Sequence, residues 1–252
     1  LKLQKLSQLG ITNLRDIGGY ATTDGHLKTG IFFRSGELYD LTSSTTTALN
    51  KQLTVKKIFD FRRPAEINNR PDTPIPSAEY ENINLLATPA QANPSLKNMV
   101  INPQMDSYMF TVYEELALSK SARNGYQLFL NEILALKKPL IFHCFAGKDR
   151  TGFAAALLLK LAGVNDDDIF DDYLATNQAR QKANQKILAE FAEKLSAANL
   201  AALKVSLNVR AEYLQHAFAE ISQHYGSFDN YLTAGLQLAP DYITKFRHQF
   251  IE

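Results

Sequence analysis

One segment of the chain brings together residue types that do chemistry as a group: His143-Cys144-Phe145-Ala146-Gly147-Lys148-Asp149-Arg150-Thr151-Gly152. It follows the apolar run Leu140-Ile141-Phe142 and precedes an apolar helical pattern. A tight strand-to-helix loop turns successive backbone N–H groups inward as an anion cradle, and the helix N-terminus adds partial positive charge. Gly147 and Gly152 permit backbone conformations and close approaches that a side chain would block. A cysteine on the floor of such a cradle favours its thiolate, with a pKa lowered to roughly 3.5–7.5 by the helix end and neighbouring cations. Arg150, six residues on, can reach back with its planar fork and hold two oxygens of a phosphate above the sulfur. A thiolate beneath a clamped phosphorus atom is set for in-line attack. A lone cysteine is by itself more often a small buried hydrophobe. The weight therefore rests on the whole pattern: strand, flanking histidine, two placed glycines, the Lys148-Asp149-Arg150 run and a hydroxyl at Thr151.

The segment resembles the His-Cys-x5-Arg-Thr-Gly loop of the cysteine-dependent protein tyrosine phosphatases. Its Gly-Lys-Asp-Arg-Thr form is similar to the atypical bacterial branch, which includes secreted phosphatases active on phosphotyrosine and phosphoinositides. The likeness extends along the chain in order. It includes Asn13-Leu14-Arg15-Asp16-Ile17-Gly18-Gly19-Tyr20, Phe33-Arg34-Ser35-Gly36-Glu37-Leu38, Phe59-Asp60-Phe61-Arg62, Asp171-Asp172-Tyr173-Leu174-Ala175-Thr176-Asn177 and Tyr225-Gly226-Ser227-Phe228.

The resemblance implies a phosphomonoester hydrolase that works through a phosphocysteine on Cys144, without a metal or other cofactor. Phe145, Ala146, Gly147, Lys148, Asp149 and Arg150 would bind the phosphate oxygens, where transition-state charge is spread. Thr151 would hydrogen-bond the sulfur, and His143 would orient the loop or serve as a satisfied structural histidine. The proton for the leaving oxygen would come from Asp149, with Asp60, at a strand end, as the other candidate and a structural role as its alternative. Lys148 is either a solvated surface lysine or a second cation for multiply charged substrates such as phosphoinositide head groups. Arg15, Asp16, Arg34, Arg62 and Glu66 read as ion pairs and turns supporting the cradle, with Asp16 and Arg62 nearest the pocket. Expected partners are phosphorylated proteins or phosphoinositides, with inorganic phosphate as product. Two other readings of the loop are a phosphate-binding module without turnover and a rhodanese-like sulfur transferase.

These residues need a scaffold. Ile31-Phe32-Phe33, Val55 to Phe61, Tyr80 to Leu85 and Leu140 to Phe142 read as strands. Helices are expected over Leu41 to Leu53, from about Met105, over Tyr126 to Leu136 and from about Thr151 to Leu161. Asn165 before Asp166, Asp167 and Asp168 reads as an N-cap with acid in the first turn, in preference to a metal site. Gln181 to Leu207 and Val209 to Tyr225 are helical, and two shorter helices follow. The pattern predicts an α/β sandwich, a central sheet flanked by helices with functional loops at the strand C-terminal ends and a helical C-terminal elaboration. Residues 1–252 are expected to form a single catalytic domain. Residues 178–207 form either a helical lid, as in some relatives, or an ordinary surface helix pair.

Composition agrees with an ordinary globular chain: 252 residues, 45% hydrophobic, 21% charged and a net charge of +1. Near-neutrality argues against a nucleic-acid binder. The single cysteine excludes an internal disulfide and a zinc site built on several cysteines. The longest apolar run, Phe153 to Leu159, is far shorter than the ~20 residues of a membrane span. No charged-then-apolar leader opens the sequence, which favours the cytoplasm. A start at Leu1 keeps a cleaved leader, and so secretion, open.

Overall fold

The computed structural model describes residues 6–87 and 104–252; the chain start at Leu1 lies outside them. The strands are β1 (Arg15–Asp16), β2 (Ala21–Thr22), β3 (Gly25–His26), β4 (Phe32–Ser35), β5 (Lys57–Asp60), β6 (Glu79–Asn82) and β7 (Leu140–His143). Five of them form one sheet in the order β1-β4-β7-β5-β6, and β2-β3 is a separate hairpin. β4, β7, β5 and β6 run parallel, and β1 closes one edge antiparallel to β4.

The sheet is covered on both faces, which is what a mostly parallel sheet requires. Period-2 alternation sends successive side chains to opposite faces. Phe32, Phe59, Leu140 and Phe142 therefore enter the larger core, and Phe33, Ile58 and Ile141 enter a smaller one. Helix α1 (Ser43–Lys51) contributes Leu49 to the smaller core. The larger core takes the apolar faces of α3 (Met105–Leu118), α4 (Lys120–Leu136) and α5 (Asp149–Ala162), the last buried almost throughout. A short α2 (Pro64–Asn69) precedes α3. After α5 come α6 (Asp166–Ala179), α7 (Gln181–Phe191), α8 (Ala197–Leu207), α9 (Ala211–Tyr225) and α10 (Tyr242–Phe250). Phe246 and Phe250 of α10 pack on Phe32 at ring centroid distances of 6.0 and 4.8 Å.

Several boundaries move from expectation. The strand expected at Ile31–Phe33 starts one residue later and ends two later, as Phe32–Ser35, and the strand expected over Tyr80–Leu85 is only Glu79–Asn82. That last strand is a largely exposed edge, so burial imposes little pattern on it. Helix α5 begins at Asp149, two residues before the expected Thr151, and this places Asp149 and Arg150 in its first turn. The 181–207 stretch is two helices, the second capped by Ser196 Oγ accepting from Asn199 N. Asn165 caps α6 as its sequence indicates, accepting from Asp168 N at 2.9 Å.

Candidate active site

Register alone brings the site together. Ser35 of β4 and Asp60 of β5 both pair with His143 of β7, so three parallel strands end level with one another. Cys144 is the next residue, delivered to the C-terminal edge of the sheet, where open α/β sheets hold their ligands. Between β7 and α5 the chain turns through Gly147 at φ +66°, and a Cβ there would lie 2.3 Å from Ser35 O. Only glycine fits that position.

The carbonyls of this loop are drawn outward. Phe145 O accepts from Glu37 N at 3.1 Å, and Ala146 O accepts from Arg180 Nη1 at 2.8 Å. Gly147 O accepts from Asn13 Nδ2 at 2.7 Å and from Arg34 Nη2 at 3.1 Å. A trans peptide points its N–H opposite its C=O, so the amides of Ala146, Gly147 and Lys148 face the other way, into the bowl. Arg34 and Arg15 are held in turn by Asp172, with Arg15 Nε 2.9 Å from Asp172 Oδ1. Burial opposes a charged carboxyl at Asp172, but the two guanidiniums outweigh it and hold its pKa down.

Cys144 lines the cleft at the bottom of this bowl and is 2% exposed. Burial disfavours its thiolate, yet the charge of Arg150 and the hydroxyl and amide of Thr151 outweigh burial and lower the thiol pKa. Thr151 Oγ1 is buried and has no hydrogen-bond partner among the described residues. Arg150 lies flat against Glu66 of α2, Nη1 to Oε2 at 2.7 Å and Nη2 to Oε1 at 2.8 Å, and Nη1 also donates to Phe61 O at 3.2 Å. Glu66 is itself placed by the start of α2, where its Oε2 accepts from Arg63 N.

Asp149 sits beside the sulfur and lines the same cleft. Its Oδ1 accepts from Tyr113 Oη at 3.0 Å, and its Oδ2 lies 3.4 Å from Lys148 Nζ. The solvated-surface reading of Lys148 is corrected, because the side chain is buried. Its ammonium donates to Ser206 O at 2.5 Å and to Asn208 O at 3.4 Å, at the end of α8. Burial pushes its pKa down, against the pull of Asp149. Arg180, at the junction of α6 and α7, also lines the cleft with Ser206 and Leu207. Residues 180–208 thus touch the loop at both ends of their helix pair.

Asp60 does not enter the cleft. It is fully buried, and its carboxylate accepts from Arg62 N, Nε and Nη2 and from Tyr80 Oη. That set leaves it as an anchor of the loop after β5. Arg62 likewise stays out of the cleft, bound to Asp60, Asp72 and Glu37. Asp16 is also absent from the cleft lining and caps a turn, accepting from Gly18 N and Gly30 N. His143 lies beneath Cys144, with Nε2 2.8 Å from Asp72 Oδ2 and Nδ1 3.2 Å from Cys144 O. Burial would lower its pKa, but Asp60 and Asp72 raise it to about 9. Asp60, Asp72 and His143 could converge on a metal ion, yet the Arg62 guanidinium already supplies a cation to both carboxylates.

The loop residues and Glu66 were marked by the motif or its flanking signatures. Tyr113, Arg180, Asp72 and Ser206 carry no such mark, since only chain folding brings them near Cys144.

Comparison with known proteins bears on this geometry. A family model described as the tyrosine phosphatase family matches residues 6–252. The chain belongs to the tyrosine phosphatase family. This tyrosine phosphatase is 35% identical over 237 residues to a Cupriavidus necator protein whose name places it among the tyrosine-protein phosphatases, covering 90% of this chain and 82% of that one. It is 31% identical over 268 residues to the triple specificity protein phosphatase PtpB of Mycobacterium tuberculosis, covering 91% and 94% respectively. The rhodanese-like alternative loses its footing with that membership.

Proposed function

We propose that this tyrosine phosphatase hydrolyses phosphotyrosine through a phosphocysteine on Cys144. The observation that carries the reading is the stack of Cys144, the inward amides and Arg150 fixed by Glu66. In the first step the Cys144 sulfur forms a bond to phosphorus as the bond to the ester oxygen breaks, and Asp149 gives that oxygen a proton. In the second, water attacks phosphorus, the S–P bond breaks and Asp149 takes the proton back, releasing inorganic phosphate. The amides of the bowl and Arg150 hold the equatorial oxygens in both steps. Thr151 stabilises the departing thiolate, and His143 holds the base of the loop.

The helix pair over residues 181–207 acts as a lid in this proposal. The cleft encloses about 30 Å³, room for about two waters. A phosphoaryl group enters only when α8 moves. Opening would also free the Lys148 ammonium from Ser206 and Asn208, making it available to a second phosphate on a phosphoinositide. The relative named for triple specificity supports including that substrate class.

A phosphate-release panel over phosphotyrosine and phosphoserine peptides and phosphoinositides, with Cys144→Ser as control, tests the proposal. Release from phosphotyrosine that vanishes in C144S is expected. Equal release from wild type and C144S would refute the assignment. Turnover of phosphotyrosine with none of phosphoinositides would remove the lipid arm alone.

A further inference from the structure

Asp149 shows its two carboxyl oxygens to different surroundings. Oδ1 accepts from Tyr113 Oη at 3.0 Å, and Tyr113 Oη lies 2.6 Å from Tyr173 Oη. Both tyrosines are buried, and neither lines the cleft. Oδ2 lies toward Lys148, which lines the cleft with Cys144. A phenol has a single proton to donate. With the Tyr113 proton committed to Asp149, the hydrogen bond between the phenols is donated by Tyr173. The hydroxyl chain therefore runs one way, from Tyr173 to Tyr113 to Asp149 Oδ1.

The Tyr113 ring is held as firmly as its hydroxyl. It stacks on Tyr213 at a centroid distance of 5.7 Å and meets Tyr173 edge-on at 6.2 Å. Three helices, α3, α6 and α9, supply these rings, so the donor aimed at Asp149 is set by the core. A carboxyl group otherwise rotates broadly about its last torsion and could offer either oxygen to the cleft.

We infer that Tyr113 is a positioning residue for proton transfer by Asp149. This rests on the reading of Asp149 as the acid. By keeping Oδ1 as an acceptor, Tyr113 leaves the exchangeable proton to Oδ2, the oxygen on the cleft side. That proton passes from Oδ2 to the leaving ester oxygen as the P–O bond breaks. One proton of the attacking water returns to Oδ2 as the S–P bond breaks. Tyr113 keeps its own proton throughout, and Tyr173 fixes the direction of its donation.

The test is kcat/KM, which reports the first step, for phenyl phosphate and p-nitrophenyl phosphate in wild type, Asp149→Asn, Tyr113→Phe and the double variant. Y113F is expected to slow the poor leaving group about tenfold and the good one less than about twofold, the size of a misplaced general acid. In the D149N background Y113F is expected to add nothing. An equal loss on both substrates, or an undiminished further loss in the double variant, would overturn the inference. If D149N itself shows no leaving-group dependence, the acid assignment falls and takes the inference with it. If D149N shows the dependence and Y113F does not, only the role of Tyr113 falls. Should Y113F fail to fold, Tyr173→Phe gives the same reading. The same selective loss on phenyl phosphate, smaller in size, supports the inference, and a uniform loss contradicts it.

Discussion

Glu66 and Arg150 meet edge to edge, carboxylate against guanidinium, at 2.7 and 2.8 Å with both partners buried. An arginine has five N–H donors. Among the described residues three are engaged, two by Glu66 and one by Phe61 O. The two that remain, on Nε and Nη2, lie along one edge of the fork, the spacing that grips two phosphate oxygens. Glu66 both neutralises the guanidinium and decides which edge faces the cleft.

Glu66→Gln should therefore harm both stability and binding. Breaking a buried pair from one side costs about 3 kcal/mol or more, readable by urea unfolding. The dissociation constant for inorganic phosphate or vanadate should rise about tenfold, the loss expected when a charge-assisted bidentate contact is loosened. Unchanged vanadate affinity in a folded E66Q protein would show that the pair does not set the fork.

The Cys144 thiol should titrate below its ordinary value, because Arg150 and Thr151 outweigh burial. Iodoacetamide alkylation followed against pH reads the thiolate fraction directly. Arg150→Met should move the midpoint upward. An identical midpoint in both proteins would mean that Arg150 does not stabilise the thiolate.

His143 gives the fold a pH dependence of definite sign. Its pKa is raised in the folded state, so its contribution is complete below the ordinary value of about 6.5. It is lost as pH rises through about 9. Urea unfolding across that window should show wild type losing stability relative to His143→Asn as pH climbs. Parallel curves for the two proteins would contradict an imidazolium between Asp60 and Asp72.

Lys148 ties the phosphate loop to the end of α8 through Ser206 O and Asn208 O. Lys148→Met removes the ammonium and keeps most of the stem. Hydrogen exchange across residues 181–207 should accelerate in K148M, because local opening no longer breaks those bonds. Exchange as slow as in wild type would mean that the helix pair is held by packing alone.

Much of this was readable before any coordinates. The Cys144-to-Thr151 run announces a tight strand-to-helix turn with glycine where the backbone needs freedom, although the helix starts at Asp149 and not at Thr151. Ile31-Phe32-Phe33 and Leu140-Ile141-Phe142 read as strands, but being apolar throughout they do not show which side chain enters which of the two cores. Partnerships across sequence distance were not readable. Arg62 stands two residues from Asp60 and reads as an ion-pair residue, but nothing nearby shows that Tyr80, 20 residues on, also holds that carboxylate, which is why a strand-end aspartate looked available as an acid. Lys148 reads as either a solvated lysine or a second cation for substrate, and its burial shows only once α8 is folded over it, 58 residues along the chain. Tyr113 is one more apolar-face residue in the α3 pattern until α5 and α6 bring Asp149 and Tyr173 to its hydroxyl.

The central claim is covalent, so the most direct measurement looks for the covalent bond. p-Nitrophenyl phosphate is mixed rapidly with the enzyme, quenched in acid within the first turnover, and the digested protein is weighed. The account predicts a burst of p-nitrophenol matching the enzyme concentration and one phosphoryl group on the peptide that contains Cys144, both absent in C144S. Steady turnover with no phosphoryl group on that peptide, or turnover that survives Cys144→Ser, would contradict it.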